Sequence, residues 1–317
     1  MEQTTLIINR VLPIVFLILL GMWIRRSKFL SASTMDDLRK MIVNIALPSV
    51  LFLTFLQIEL KPTYLVVFVI IFLTCLALFG LGFWIRRQFK IEHTYFPFLM
   101  TGFEYGMLGV SLFGGAFGLE KLGYIAVLAL GHETFIWFVF LTFLLMKRDG
   151  IQETRQLLKV FFRSPVIIAI FAGLLLNLLG AKTLLAQAPV GGALISTLQN
   201  LANLVVPLIL MIVGYSVKLD GDGIKIAFPV PLLRLAILIP AALGIYFFVF
   251  SLWLHLEPVF GIALFTLFIL PPPFIIPLYI KPELETEKHY VNNVLALYTI
   301  FSIVIFIIFF IITQTLM

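Results

Sequence analysis

The chain has 317 residues, 62% of them hydrophobic and only 12% charged, with a mean hydropathy of +1.12. Soluble globular chains carry about a quarter charged residues, so composition excludes a soluble fold and predicts a polytopic membrane protein. The net charge of +6 does not point to nucleic acid, because the cations sit in short loops beside apolar blocks, and the single cysteine, Cys75, rules out an internal disulfide.

Ten apolar blocks predict ten membrane-crossing helices, near 6–24, 40–58, 63–85, 96–118, 122–146, 164–180, 190–217, 228–254, 258–280 and 290–314. The first contains "PIVFLILLG", Pro13 to Gly21, and reads as a retained span, with no small-residue cleavage site after it. The second contains Asn44-x-x-x-Pro48. Proline lacks an N–H, so within a helix it frees the carbonyl four residues earlier. That carbonyl belongs to Asn44, so one turn gathers a free acceptor and an amide that hydrocarbon cannot satisfy.

The fourth span, "FPFLMTGFEYGMLGVSLFGGAFG", is glycine-rich, with Gly106 and Gly109 among six glycines, and carries one acid, Glu104. A carboxyl inside a membrane span is costly and marks a functional candidate. Out of water it gives up its charge readily, which makes Glu104 the first candidate for carrying a proton. The fifth span adds His132 and Glu133. They lie about 100° apart on a helix, so only one of the two can face Glu104.

The connection 147–163 is polar and basic and reads as a cytoplasmic linker between a first unit, 1–146, and a second, 164–317. The sixth span repeats the first as "PVIIAIFAG", Pro165 to Gly173, and the seventh repeats the second as Asn203-x-x-x-Pro207. Lys218 and Asp220 end the seventh span as a solvated terminus. Arg234 in the eighth is expected to snorkel to the interface, with contact to an anion as the other reading. The ninth holds Pro271, Pro272 and Pro273, which push the preceding residues out of helical geometry. The fourth and ninth spans are thus both expected to be broken, and each break exposes backbone groups and helix ends that can hold a solute.

Loops joined to alternate ends of these spans carry seventeen Lys and Arg on one side and four on the other. The basic side is expected in the cytoplasm, with both termini outside. Five spans per unit make the second an inverted copy of the first, with Asn44 corresponding to Asn203. Pro13 precedes Asn44 by 31 residues and Pro165 precedes Asn203 by 38, a difference that the loop "AKTLLAQAPVGGA" absorbs. The two Asn-x-x-x-Pro turns are expected to line a solute site across the interface between the units.

No Walker A, H-E-x-x-H, G-x-S-x-G or metal-spaced Cys/His pattern occurs. No aspartate lies within a predicted span, so an intramembrane aspartyl protease is excluded. ATP-driven transport would need a separate subunit. No enzymatic activity, cofactor or metal is expected.

Taken in order, "MIVNIALPSVLF", "EYGMLGVSLFGG", "RLAILIP" and "ILPPP" resemble the auxin efflux carrier family, whose bacterial members lack the long central loop of the plant PIN proteins. The resemblance covers essentially the whole chain. It implies ten transmembrane helices in a 5+5 inverted repeat, with the fourth and ninth helices broken and crossing in mid-membrane. Gly106, Gly109 and Pro271–Pro273 then map to the crossing, and Asn44, Pro48, Asn203 and Pro207 to the second helix of each unit. It implies a secondary carrier of small organic acids in the plasma membrane, working by alternating access; a homodimer in the bilayer is one arrangement open to it. Many members carry Asn in an N-x-G-x-x-G motif where this chain has Glu104, and a carboxylate there repels an anion unless protonated. A bile-acid-type carrier, a proton antiporter and a non-transporting membrane sensor remain as alternatives.

Overall fold

The computed structural model describes residues 2–149, 163–182, 185, 188–216, 221–281 and 283–316. Most of the linker (150–162), together with Lys218, Asp220 and the last residue, lies outside the described residues. Those that are described form helices and short connections, with no strand among them.

The helices run in chain order as α1 (Glu2–Arg26), α2 (Ala32–Gln57), α3 (Thr63–Gln88), α4 (Phe96–Leu99), α5 (Tyr105–Phe117), α6 (Leu119–Arg148), α7 (Pro165–Leu178), α8 (Pro189–Asn203), α9 (Val205–Ser216), α10 (Gly223–Ser251), α11 (Pro258–Ile269) and α12 (Glu285–Leu316). Among the described residues, six helical stretches are long and apolar enough to cross a membrane: α2, α3, α6, α8 with α9, α10 and α12. The chain is therefore an all-helical protein of membrane-embedded character. Shorter apolar helices, α5, α7 and α11, lie among them.

The second helix begins earlier than its apolar pattern. Ser31 caps it, its hydroxyl accepting the Thr34 N–H at 3.1 Å, and Asp36 and Asp37 pair with Arg39 and Lys40 one turn later. The two Asn-x-x-x-Pro motifs then interrupt their helices in different ways. Residues Ile42–Ala46 widen into a π-turn just before Pro48, with Leu47 N–H reaching back to the Ile42 carbonyl. Before Pro207 the helix stops at Asn203 and restarts at Val205.

Packing joins the early helices of one unit to those of the other. Helix α1 lies along α9, and α7 lies along α2. Gly21 and Gly214 let α1 and α9 touch backbone to backbone: a Cβ on Gly21 would run into the Met211 carbonyl, and one on Gly214 into that of Ile18. Elsewhere α3 packs on α6, and α10 on α11 and α12. Between these groups sit the short pieces α4, α5 and α11, with residues such as Leu108, Phe113, Leu267 and Leu270 sealed from solvent.

Candidate functional site

Two interrupted helices meet at the centre of the site. One leaves helical geometry after α4 and resumes at Tyr105; the other ends at Ile269, runs non-helically from Leu270 to Phe274, and closes in a 3₁₀ turn, Ile276–Tyr279. Glycine and proline produce these breaks differently. Gly102 sits at φ +69°, a left-handed conformation disfavoured for other residues, and a Cβ there would press on Pro273 and Ile136. Pro271, Pro272 and Pro273 remove three N–H donors, and all three are buried.

Glu104 joins the two breaks. Its backbone N–H donates to the Pro271 carbonyl at 2.8 Å. Its side chain caps α5, accepting the Met107 N–H on Oε1 at 3.3 Å, while Oε2 accepts the Phe274 N–H at 2.7 Å. Its own carbonyl accepts the Gly109 N–H at 3.0 Å. One buried carboxyl group therefore holds backbone donors of both interrupted helices. Gly109 lies against Leu270, where a Cβ would come within 2.8 Å of Leu270 Cδ1. Gly106 lies beside Leu47, next to the π-turn of α2. Phe103 and Phe268 stack at 5.1 Å between ring centres.

Arg234 corrects the expectation of snorkelling. It is fully buried, its Nη1 donating to the carbonyls of Leu99 at 2.8 Å and Thr101 at 3.1 Å, and its Nη2 to that of Gly102. The cause is the break itself: α4 ends inside the protein, and the buried carbonyls at and after its end need donors. The guanidinium fork meets three of them and lies over the rings of Phe103 and Tyr298. With both terminal nitrogens engaged, Arg234 shapes the break.

His132 and Glu133 divide as helical geometry requires. His132 is buried, and its Nε2 accepts the Phe103 N–H at 2.8 Å, so that nitrogen carries no proton and Nδ1 does. Glu133 is partly exposed, lies 3.3 Å from His132 Nδ1, and accepts the Trp137 indole N–H at 3.2 Å. His132 thus supports the residue next to Glu104.

Asn44 and Asn203 are both exposed, and each bonds within its own helix: Asn44 donates to the Lys40 carbonyl at 2.7 Å, and Asn203 accepts from Gln199 at 3.3 Å. The π-turn carrying Asn44 packs against α8 and α9, so the two interruptions are neighbours. Pro48 and Pro207 are partly buried beside them.

A cavity of about 630 Å³ opens between α2, α6 and α8, lined by residues that include Thr54, Gln57, Tyr124, Gln199 and Asn203. Asn203 alone among the residues singled out by sequence belongs to its lining. At its rim Lys61 lies 3.7 Å from Glu59 and 3.6 Å from Glu257, and these carboxylates, Glu59 foremost, raise the lysine's pKa. Tyr124 donates to Glu257 at 2.6 Å.

Several supporting residues escape sequence reasoning. Thr101 donates to the Cys75 carbonyl at 2.7 Å, and Ser302 to the Ile269 carbonyl at 2.6 Å. Hydroxyls in apolar helices commonly bond their own backbone, so their residue type gives no sign of these long-range roles. A scan against models of known protein families returned no match, and neither did a search of curated proteins.

Proposed function

We propose that this chain is a secondary transporter of small organic solutes, organic acids foremost, built as ten spans in a 5+5 inverted repeat and working by alternating access. The observation that carries the reading is the meeting of two interrupted helices at Glu104, joined through backbone groups that a continuous helix would have consumed. Such exposed backbone inside a membrane protein is tolerated where protein buries it or where it lines a solute path.

The repeat finds support in matched packing. Gly21 sits against the Met211 carbonyl and the Tyr215 N–H, and Gly173 against the Phe52 carbonyl and the Leu56 N–H. Met211 and Tyr215 follow Pro207 by four and eight residues, as Phe52 and Leu56 follow Pro48. Each unit's Pro-to-Gly span therefore meets the other unit's Asn-x-x-x-Pro span in the same register. The sequence motifs resembling the auxin efflux carrier family support the same architecture and substrate class.

In this reading the solute enters the cavity beside Asn203 and reaches the crossing, where Glu104 couples its movement to a proton. The carrier sits in the plasma membrane with both termini outside, acts in efflux, functions as a homodimer and has no enzymatic activity. A proton antiporter is the second reading, because a single buried carboxyl at a helix crossing suits proton exchange equally. A thermal-shift screen against mono- and dicarboxylates, indole acids and amino acids, followed by uptake of the hits into proteoliposomes, tests the proposal. Stabilisation by an organic acid and uptake above protein-free liposomes are expected. Failure of every solute to stabilise the folded protein or enter the vesicles overturns it.

A further inference from the structure

The C-terminal end of α3 carries a feature that the transport reading does not use. A concave pocket of about 520 Å³ is lined by Phe83, Arg86, Arg87, Lys90 and Ile91. Three of its five residues are cations, and none of the three forms an ion pair among the described residues. Basic residues at a helix end normally record topology and meet the helix dipole. Two observations go further.

The first is the shape of the turn. Lys90 takes φ +50°, where glycine is usual, and the Ile91 N–H reaches back to the Arg86 carbonyl at 3.0 Å. This closes the helix end, and Lys90 lines the same pocket as Arg86 and Arg87. Arg86 Nε is held by the His93 carbonyl at 3.1 Å, which leaves its two terminal nitrogens for another acceptor. The turn thus places the Lys90 charge beside those of Arg86 and Arg87 at one helix end.

The second is what lies below the pocket. Val69, Leu73, Leu76, Gly80 and Phe83 are all exposed and follow one another at helical spacing down α3. Gly80 leaves open space where a side chain would stand. Trp84 and Phe89, next in sequence to pocket residues, are also exposed, and aromatic residues are enriched where membrane helices meet the interface.

We propose that this pocket binds the headgroup of an anionic phospholipid, with Arg86, Arg87 and Lys90 around the phosphate and an acyl chain along the α3 stripe. Free phosphate shares the charge chemistry but has no use for the stripe. Basic pockets beside membrane helices hold anionic headgroups in this way, each cation contributing near the membrane surface. The inference needs only the protein's membrane character and is independent of any transported solute.

The test uses purified full-length protein in nanodiscs of phosphatidylcholine, with and without phosphatidylglycerol, read by thermal midpoint and by lipid retained in native mass spectrometry. Phosphatidylglycerol should raise the wild-type midpoint and stay bound. Arg87→Gln with Lys90→Gln should weaken retention by roughly 30-fold and abolish the rise. The end of α1 has the same turn, with Lys28 at φ +56°, but Arg26 and Lys28 do not line this pocket, so Arg26→Gln with Lys28→Gln should keep the effect. Lys90→Gly, which relieves the strained turn and so keeps the fold, should also lose the response. The proposal is overturned if the Arg87/Lys90 variant responds like wild type, if the Arg26/Lys28 variant loses as much, or if inorganic phosphate alone reproduces the rise.

Discussion

The two interrupted helices that meet at Glu104 are broken by opposite means, and the protein supports them differently. The break after α4 is made with glycine and keeps its full set of N–H and C=O groups. Arg234 therefore covers the carbonyls of Leu99, Thr101 and Gly102, and His132 accepts from Phe103. The break after α11 is made with proline. Across Leu270–Phe274 only Leu270 and Phe274 retain a backbone donor, and these reach Leu267 and Glu104. One hydroxyl, from Ser302, serves the Ile269 carbonyl where α11 ends. A glycine break must borrow polar partners from neighbouring helices, whereas a proline break deletes donors and borrows few. The buried guanidinium of Arg234 accordingly lies on the glycine side.

Removing the strongest borrowed partner should break the comparison most visibly. Arg234→Gln leaves buried carbonyls without donors and should cost roughly 1–3 kcal/mol for each one orphaned, read by denaturant unfolding in detergent. Arg234→Lys should recover only part of this, because a compact ammonium cannot reproduce the guanidinium fork. His132→Phe orphans the Phe103 N–H and should cost roughly 1–3 kcal/mol in the same assay. On the proline side, Ser302→Ala should cost about 1 kcal/mol. If Ser302→Ala destabilises as much as Arg234→Gln, the contrast between the two breaks fails.

The sequence made both breaks legible, because six glycines in one apolar span and three consecutive prolines in another leave few alternatives. It also marked Glu104, since an acid inside a span has few inert explanations. It did not reveal what holds the breaks. Arg234 near the end of its span looked like a snorkelling side chain, and only the burial of the α4 terminus beside it explains its retention in the interior. His132 and Glu133 could be separated by helical geometry but not assigned, since facing depends on how α6 is rotated. Asn44 and Asn203 were legible as helix interruptions. Their side chains, however, bond within their own helices, a local choice that spacing cannot reveal. Thr101 and Ser302 were invisible among ordinary hydroxyls.

The central claim is that the crossing at Glu104 moves a solute together with a proton. Other charged groups that act on this carboxyl are Glu133 and Arg39, while His132 bonds the Phe103 N–H and Arg234 the carbonyls before it. A neutral carboxyl can donate a hydrogen bond to an organic anion, whereas an ionised one repels it. The direct measurement is organic-acid uptake into proteoliposomes with and without an imposed pH gradient, for wild type, Glu104→Gln and Glu104→Ala. Wild type should concentrate solute in response to the gradient. Glu104→Gln, uncharged and keeping one acceptor oxygen for the two backbone donors, should still bind solute but lose both the pH dependence of binding and uphill transport, and Glu104→Ala should bind more weakly. A wild type indifferent to the gradient, or a Glu104→Gln variant that keeps the full response, would contradict the account.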